Sequence, residues 1–212
     1  MIEPSLRRNT ASAYCALLRT TPTPSALGRC PLLTAGLVWH NGDMNTAPKR
    51  RSYEAGHRRK MLVIVDESPE VDAALFFCAS RIVHSTGDIV LLYVIEPQDF
   101  ESFMGVRQVY LEEETTKAKA LFRMFRRKLN TSGFENVATH EVIREGKTAE
   151  QITKLIEEDD DIAILVLGAA VDNKGPGPLV TSLATGKLAG TFPIPITVVP
   201  GDLTLEELMA LA

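Results

Sequence analysis

Five short apolar runs alternating with four helical patterns, joined by short connections, predict an α/β protein: a three-layer sandwich around a five-stranded, mostly parallel sheet. Two observations carry this. The runs at 61–65 and 89–95 are apolar throughout and rich in β-branched residues, as strands buried on both faces are. The stretches between the runs place apolar residues every three or four positions, as helices lying on a sheet do.

Residues 1–59 stand outside that pattern. They are rich in Thr, Pro, Ser and Arg, as in TPTPSALGRCP at 21–31, so burial could not offset the entropy of ordering them, and a disordered basic extension is expected. Its Arg-rich, acid-poor start loosely resembles an organellar transit peptide, and AYCALL at 13–18 is too short for a secretory core. Met44 is expected to be the true initiator, with 1–43 arising from an upstream start, which the mass of the native N-terminus checks. Arg50 to Lys60 is then a solvated basic lead-in.

The first strand, 61–65, ends at Asp66. Ser68 is the expected N-cap, Pro69 suits the first helical position, and Glu70 and Asp72 sit well against the positive helix end. That helix should run to about Ser85 on Val71, Leu75, Cys78 and Ile82, with Gly87 as its stop. The second strand, 88–95, ends at Glu96-Pro97. A long helix over 107–131 follows, with Leu111, Ala118, Leu121, Phe122, Phe125 and Leu129 as its apolar stripe. Its FRMFRRK cluster at 122–128 suggests RNA binding at first sight, but at helical spacing it reads as core beside a charged face.

A weaker strand at 137–144 has the partial alternation of a sheet edge. Thr148 with Gln151 makes a capping box for a helix through Ile152, Leu155 and Ile156. The acidic run Asp159 to Asp161 reads as a solvated loop and not a calcium site, since no EF-hand spacing accompanies it. The fourth strand, 162–167, leads into GAAVDNKGPGPLVTS at 168–182 and a last helix over 179–189. Pro193 and Pro195 place the fifth strand, Ile196 to Val199, at an edge. Beyond Pro200, Asp202 or Thr204 caps a short amphipathic tail on Leu205, Leu208 and Leu211, which either docks on a partner chain or frays.

Charge excludes one class of function. Residues 1–60 carry 10 Lys and Arg against 3 Asp and Glu, whereas the rest carries 13 against 24, so the folded part is acidic and lacks the basic surface of a nucleic-acid binder. Cys15, Cys30 and Cys78 have no C-x-x-C spacing, so disulfides and thiolate metal sites are not expected, and reduced cytoplasm is the expected setting. No apolar run approaches the roughly 20 residues that cross a bilayer, so no membrane is expected.

The stretch at 168–182 is the most informative. Gly168, Gly175 and Gly177 permit positive φ and close backbone approach, and the hydroxyls of Thr181 and Ser182 fall near a helix start, where free N–H groups favour an anion. The same Gly-Pro-Gly-Pro also makes an ordinary turn. Ligands of open parallel sheets lie beyond the carboxyl ends of strands where strand order reverses, so Asp66, the backbone near Val94 and this loop are expected to line one crevice. Enzymatic patterns are missing: no Walker loop, no G-x-G-x-x-G after the first strand, no G-x-S-x-G elbow. His84 and His140 read as structural.

MLVIVDESPE with Asp66, LLYVIEP with Val94, REGKTAEQI, and LVLGAAV through ITVVP together resemble the universal stress protein family, over about Met61 to Pro200. The resemblance implies strand order 3-2-1-4-5 in an adenine nucleotide alpha hydrolase-like fold and a homodimer through the fifth strand. In one branch it implies binding of ATP, with or without Mg²⁺, and at most slow hydrolysis. It carries Asp66 over as the residue near the ribose and Val94 as the one meeting adenine through its backbone. That branch is marked by G-x-x-G, nine residues, then G-[ST]. Gly168 and Ser182 match it, but Val171 and Thr181 stand where two glycines belong. A cytosolic nucleotide-binding stress regulator is therefore expected, and the alternative is an interaction module of the same fold that acts through its dimer surface.

Overall fold

A computed structural model of the chain describes residues 50–52, 54–97, 104–171, 175–185 and 190–212. The expectations for 1–49, including the start at Met44, lie outside these residues. Five strands form one sheet: β1 (Lys60–Ile64), β2 (Asp88–Ile95), β3 (Ala138–Glu145), β4 (Ile162–Ala169) and β5 (Ile196–Pro200). Their order is β3-β2-β1-β4-β5 and every pairing is parallel. The fold class and the strand order implied by the resemblance both hold.

The helices α1 (Glu70–His84), α2 (Met104–Thr131), α3 (Thr148–Glu158), α4 (Pro178–Val180) and α5 (Leu205–Leu211) divide between the two faces. Because side chains alternate along a strand, each central strand feeds two cores. Met61, Val63 and Val65 pack with Ile89, Leu91, Phe122 and Leu75 under α1, α2 and α5. Leu62 and Ile64 pack with Val90, Leu92, Leu165 and Ile156 under α3 and α4. The edges are β3, largely exposed, and β5, as the weak alternation and the prolines predict. The stripe of α2 is in place: Ala118, Phe122, Phe125 and Leu129 are buried, while Arg123, Arg126 and Arg127 are exposed.

Four local expectations are corrected. Thr148 does not form a capping box. It is the first residue of α3, and its hydroxyl donates to Glu96 Oε1 at 2.6 Å, so a contact with the end of β2 replaces the local one. Of the helix expected over 179–189, the described residues form the three-residue α4 and, directly after it, a π-helical turn, Thr181–Thr185, and 186–189 lie outside the described residues. The tail does not fray: α5, capped by a Thr204–Glu207 box, buries Leu208 in the core under α1. Arg81 Nη1 donates to Ala212 O at 3.3 Å from the far end of α1.

The fourth correction concerns charge. The basic lead-in and the acidic run were both expected in solvent, and they meet each other at the amino end of the sheet. His57 Nδ1 lies 2.6 Å from Asp161 Oδ1, Lys60 Nζ 2.8 Å from Asp159 Oδ2, and Arg51 N–H donates to Asp160 O at 3.2 Å. Arg58 and His140 both pair with the buried Asp88. Burial works against the charge on Asp161, yet the hydrogen bond to His57 and the charge of Lys60 outweigh it and hold its carboxyl below the ordinary range. Burial likewise opposes the charge on Lys60, and Asp159 and Asp161 outweigh it and raise its pKa.

A depressed carboxylate pKa adds stability above the unfolded value and loses it as pH falls through the folded one. Asp161→Asn is therefore expected to lower unfolding stability by about 1–2 kcal/mol at neutral pH. The difference from the parent should shrink as pH falls below about 4. Urea unfolding across pH checks this, and a difference independent of pH would refute it.

Candidate functional site

The site sits where the strand order turns. From β1 the chain steps outward to β2 and β3 on one side and to β4 and β5 on the other, so the carboxyl ends of β1 and β4 diverge. Register sets the levels. Ile64 lies opposite Leu92 and Val65 N–H still donates to Leu92 O at 2.8 Å, so Asp66 is level with Val94. Val63 lies opposite Val166, so Asp66 is level with Ala169, one residue past Gly168. Three residues expected to share a crevice thus end adjacent strands at one height.

Asp66 is exposed, and its Oδ1 accepts the Ser68 N–H at 2.8 Å, which fixes the carboxylate over the start of α1. The carboxylate thus shapes the turn into α1 while remaining exposed. Glu67 next to it pairs with Lys117 Nζ at 3.0 Å, tying α2 to the end of β1. Val94 is half-buried against the core on the α3 side.

Gly168 has a role that its neighbours in sequence do not reveal. A Cβ on it would stand 2.2 Å from Glu70 O and 2.8 Å from Glu70 Cβ, so its bare backbone lets the first turn of α1 cross β4. Gly201 does the same from the end of β5: a Cβ there would meet Ala169 O at 2.7 Å and Glu70 Cγ at 2.9 Å. Glu70 is held between the two, with its Oε2 buried and without a hydrogen-bond partner. Sequence reasoning placed Glu70 only as a favourable charge at a helix end and missed its position beside Gly168. No local pattern could have found a contact between residues so distant along the chain.

The loop closes on itself through Ala170 N–H to Pro176 O at 3.3 Å. Gly175 and Gly177 have φ of 107° and 97°, the left-handed region that other residues rarely occupy, so both glycines serve the turn. Pro178 opens α4 and brings no N–H. Thr181 and Ser182 are exposed and open the π-helical turn, three and four residues past Pro178 at the start of α4. Thr181 Oγ1 donates to Gly177 O at 2.8 Å and Ser182 Oγ to Leu179 O at 3.0 Å. Val171, in the place of a motif glycine, is 60% exposed and stands free of the core.

Cys78 is fully buried, and burial pushes its thiol far above the ordinary range, so it is inert. Among the described residues no group of three or more His, Cys, Asp or Glu is placed to hold a metal ion. No helix among them is long and apolar enough to cross a membrane. His140 is engaged with Asp88 at 3.0 Å, as a structural histidine is.

These features define an open, wholly parallel α/β sheet covered on both faces, whose strand order reverses at β1 and β4. The sequence profile of the universal stress protein family matches residues 57–200, and the chain belongs to that family. Among solved structures it is similar to universal stress protein UspA from Lactobacillus plantarum, at 20% identity and a TM-score of 0.54, covering 66% of this chain and 97% of that one. It is similarly close to the hypothetical protein MJ0577, at 19% identity and a TM-score of 0.54, covering 69% and 98%. A family protein from Arabidopsis thaliana, solved with AMP bound, shares 20% identity at a TM-score of 0.46, covering 67% and 91%; that ligand is a property of that protein. Curated protein sequences contain no match to the chain.

Proposed function

We propose that the protein binds an adenine nucleotide, ATP with or without Mg²⁺ being the form the motif names, in the crevice at the ends of β1, β2 and β4. It acts as a cytoplasmic stress regulator whose output follows occupancy, with no dedicated catalytic apparatus. The observation that supports this best is the level of Asp66, which the register sets beside Val94 of β2 and Ala169, one residue past Gly168, of β4 at the strand-order reversal. Asp66 suits a ribose hydroxyl, since an ionised carboxylate only accepts hydrogen bonds. Calorimetry on protein stripped of ligand should register adenine-nucleotide binding that Asp66→Ala weakens at least tenfold. Absence of heat with adenosine, AMP and ATP alike would exclude the reading.

A second reading, action through a dimer surface, is favoured by β5. That strand pairs on one side only and leaves Val198 40% exposed at the sheet edge. We propose a homodimer through Ile196 to Val199. Sedimentation should then give a dimer that Val198→Asp dissociates, whereas a monomeric parent chain would dismiss it. The tail adds little to this surface, because Leu208 is committed to its own chain.

A further inference from the structure

We propose that the outer face of α2 is a docking surface for a second copy of the chain, whose own α2 lies on it antiparallel; the surface is separate from both the nucleotide crevice and the β5 edge. Helical spacing defines it. Val106, Val109, Glu113, Thr116, Ala120 and Arg123 recur every three or four residues, and all are exposed. They lie opposite the stripe of Ala118, Phe122, Phe125 and Leu129 that holds α2 to the sheet. Three large apolar residues gather on this outer face: Val109 is 55% exposed, Val106 47% and Met124 40%.

Charge names the occupant. Glu112 and Glu113 stand on the amino-terminal half of the exposed surface and Arg123, Arg126 and Arg127 on the carboxyl-terminal half, so one end is acidic and the other basic. Arg126 pairs with Glu141 and Glu114 with Lys117, whereas Glu113 and Arg127 form no ion pair among the described residues. Arg123 is engaged on its own helix, through Nε to Lys119 O at 3.1 Å. A parallel copy would set like charges side by side, but an antiparallel one sets each acidic end on a basic end, and two-fold symmetry makes every such pair form twice. A dyad between Thr116 and Ala120 brings Glu113 level with Arg123 of the second copy, and Val109 level with the stem of its Arg127. Thr116 and Ala120 are small, so the helix axes approach closely there. The contact from Val106 to Arg127 runs about 32 Å along the helix. Its ion pairs stay near solvent, where salt screens them, so it forms at high protein concentration and joins dimers already made through β5 into tetramers.

The test is sedimentation of the full chain at low-micromolar concentration, which reads the β5 contact, and at several hundred micromolar, which reads α2. Val198→Asp isolates the surface: that chain is expected to pass from monomer to dimer over the range, and added salt to reverse the change. In that background Glu113→Arg or Arg123→Glu alone should weaken the dimer at least tenfold. The two reversals together should restore it, since each pair is then opposite in sign again, an outcome that mere loss of packing would not give. Circular dichroism confirms that each variant is folded. A Val198→Asp chain that stays monomeric at every concentration overturns the proposal, as does a dimer that neither reversal weakens or that the double reversal fails to rescue.

Discussion

Gly168→Ala is expected to destabilise the fold by about 3 kcal/mol, at the upper end of overpacking effects. The added methyl would fall 2.2 Å from Glu70 O and 2.6 Å from its carbonyl carbon, both backbone atoms of a helix that cannot swing aside as a side chain does. Relief requires α1 to lift from β4, and α1 carries Leu75, Cys78 and Ala79, all fully buried. The midpoint of urea unfolding should drop with its slope unchanged. Gly177→Ala is the control: only Ala170 Cβ, at 4.0 Å, comes near, so the cost is that of the positive φ alone, roughly 1 kcal/mol. Gly168 has no positive φ, so a Gly168→Ala effect no larger than that at Gly177 would mean that α1 yields to the added methyl and that the contact does not constrain the packing.

Phe122→Ala is expected to cost about 3–5 kcal/mol, because a fully buried ring under α2 would leave a cavity among β1, β2 and α1 side chains. Arg127→Ala, a few residues on in the same basic cluster but on the exposed face, should change stability by less than about 0.5 kcal/mol. The contrast separates the two readings of FRMFRRK. If that segment existed to bind RNA, Arg127→Ala would reduce retention on an RNA column while leaving the fold unaltered. If it is core, retention is absent in the parent chain too. Lys128 adds to the structural side, with both oxygens of Asp72 at 2.7 Å, clamping α2 to α1.

The strands and the two long helices were legible because hydrophobic periodicity reports burial directly, and β2 occupies the predicted residues from Asp88 to Ile95. Gly175 and Gly177 were legible for a similar reason: a glycine alternating with proline signals its backbone requirement in its immediate neighbours. What the sequence hid were choices between a local partner and a distant one. Thr148 had Gln151 three residues away and bonded Glu96 instead. Asp159 and Asp161 lacked a local cation and found Lys60 and His57 across the sheet. Thr181 and Ser182, read as groups for a ligand, also bond carbonyls of the preceding turn, as hydroxyls within helical backbone do.

The wedge formed by Glu70 has a mechanical consequence. Its backbone touches the space of Gly168, its side-chain stem touches that of Gly201, and Gly201 N–H donates to Ala169 O at 3.0 Å. The end of β4, the exit of the outermost strand β5 and the root of the segment leading to α5 are thus joined through one residue. In such a joint, a guest that pushed Glu70 by a fraction of an ångström would push β5 as well, and the rim of the sheet would register what its centre holds.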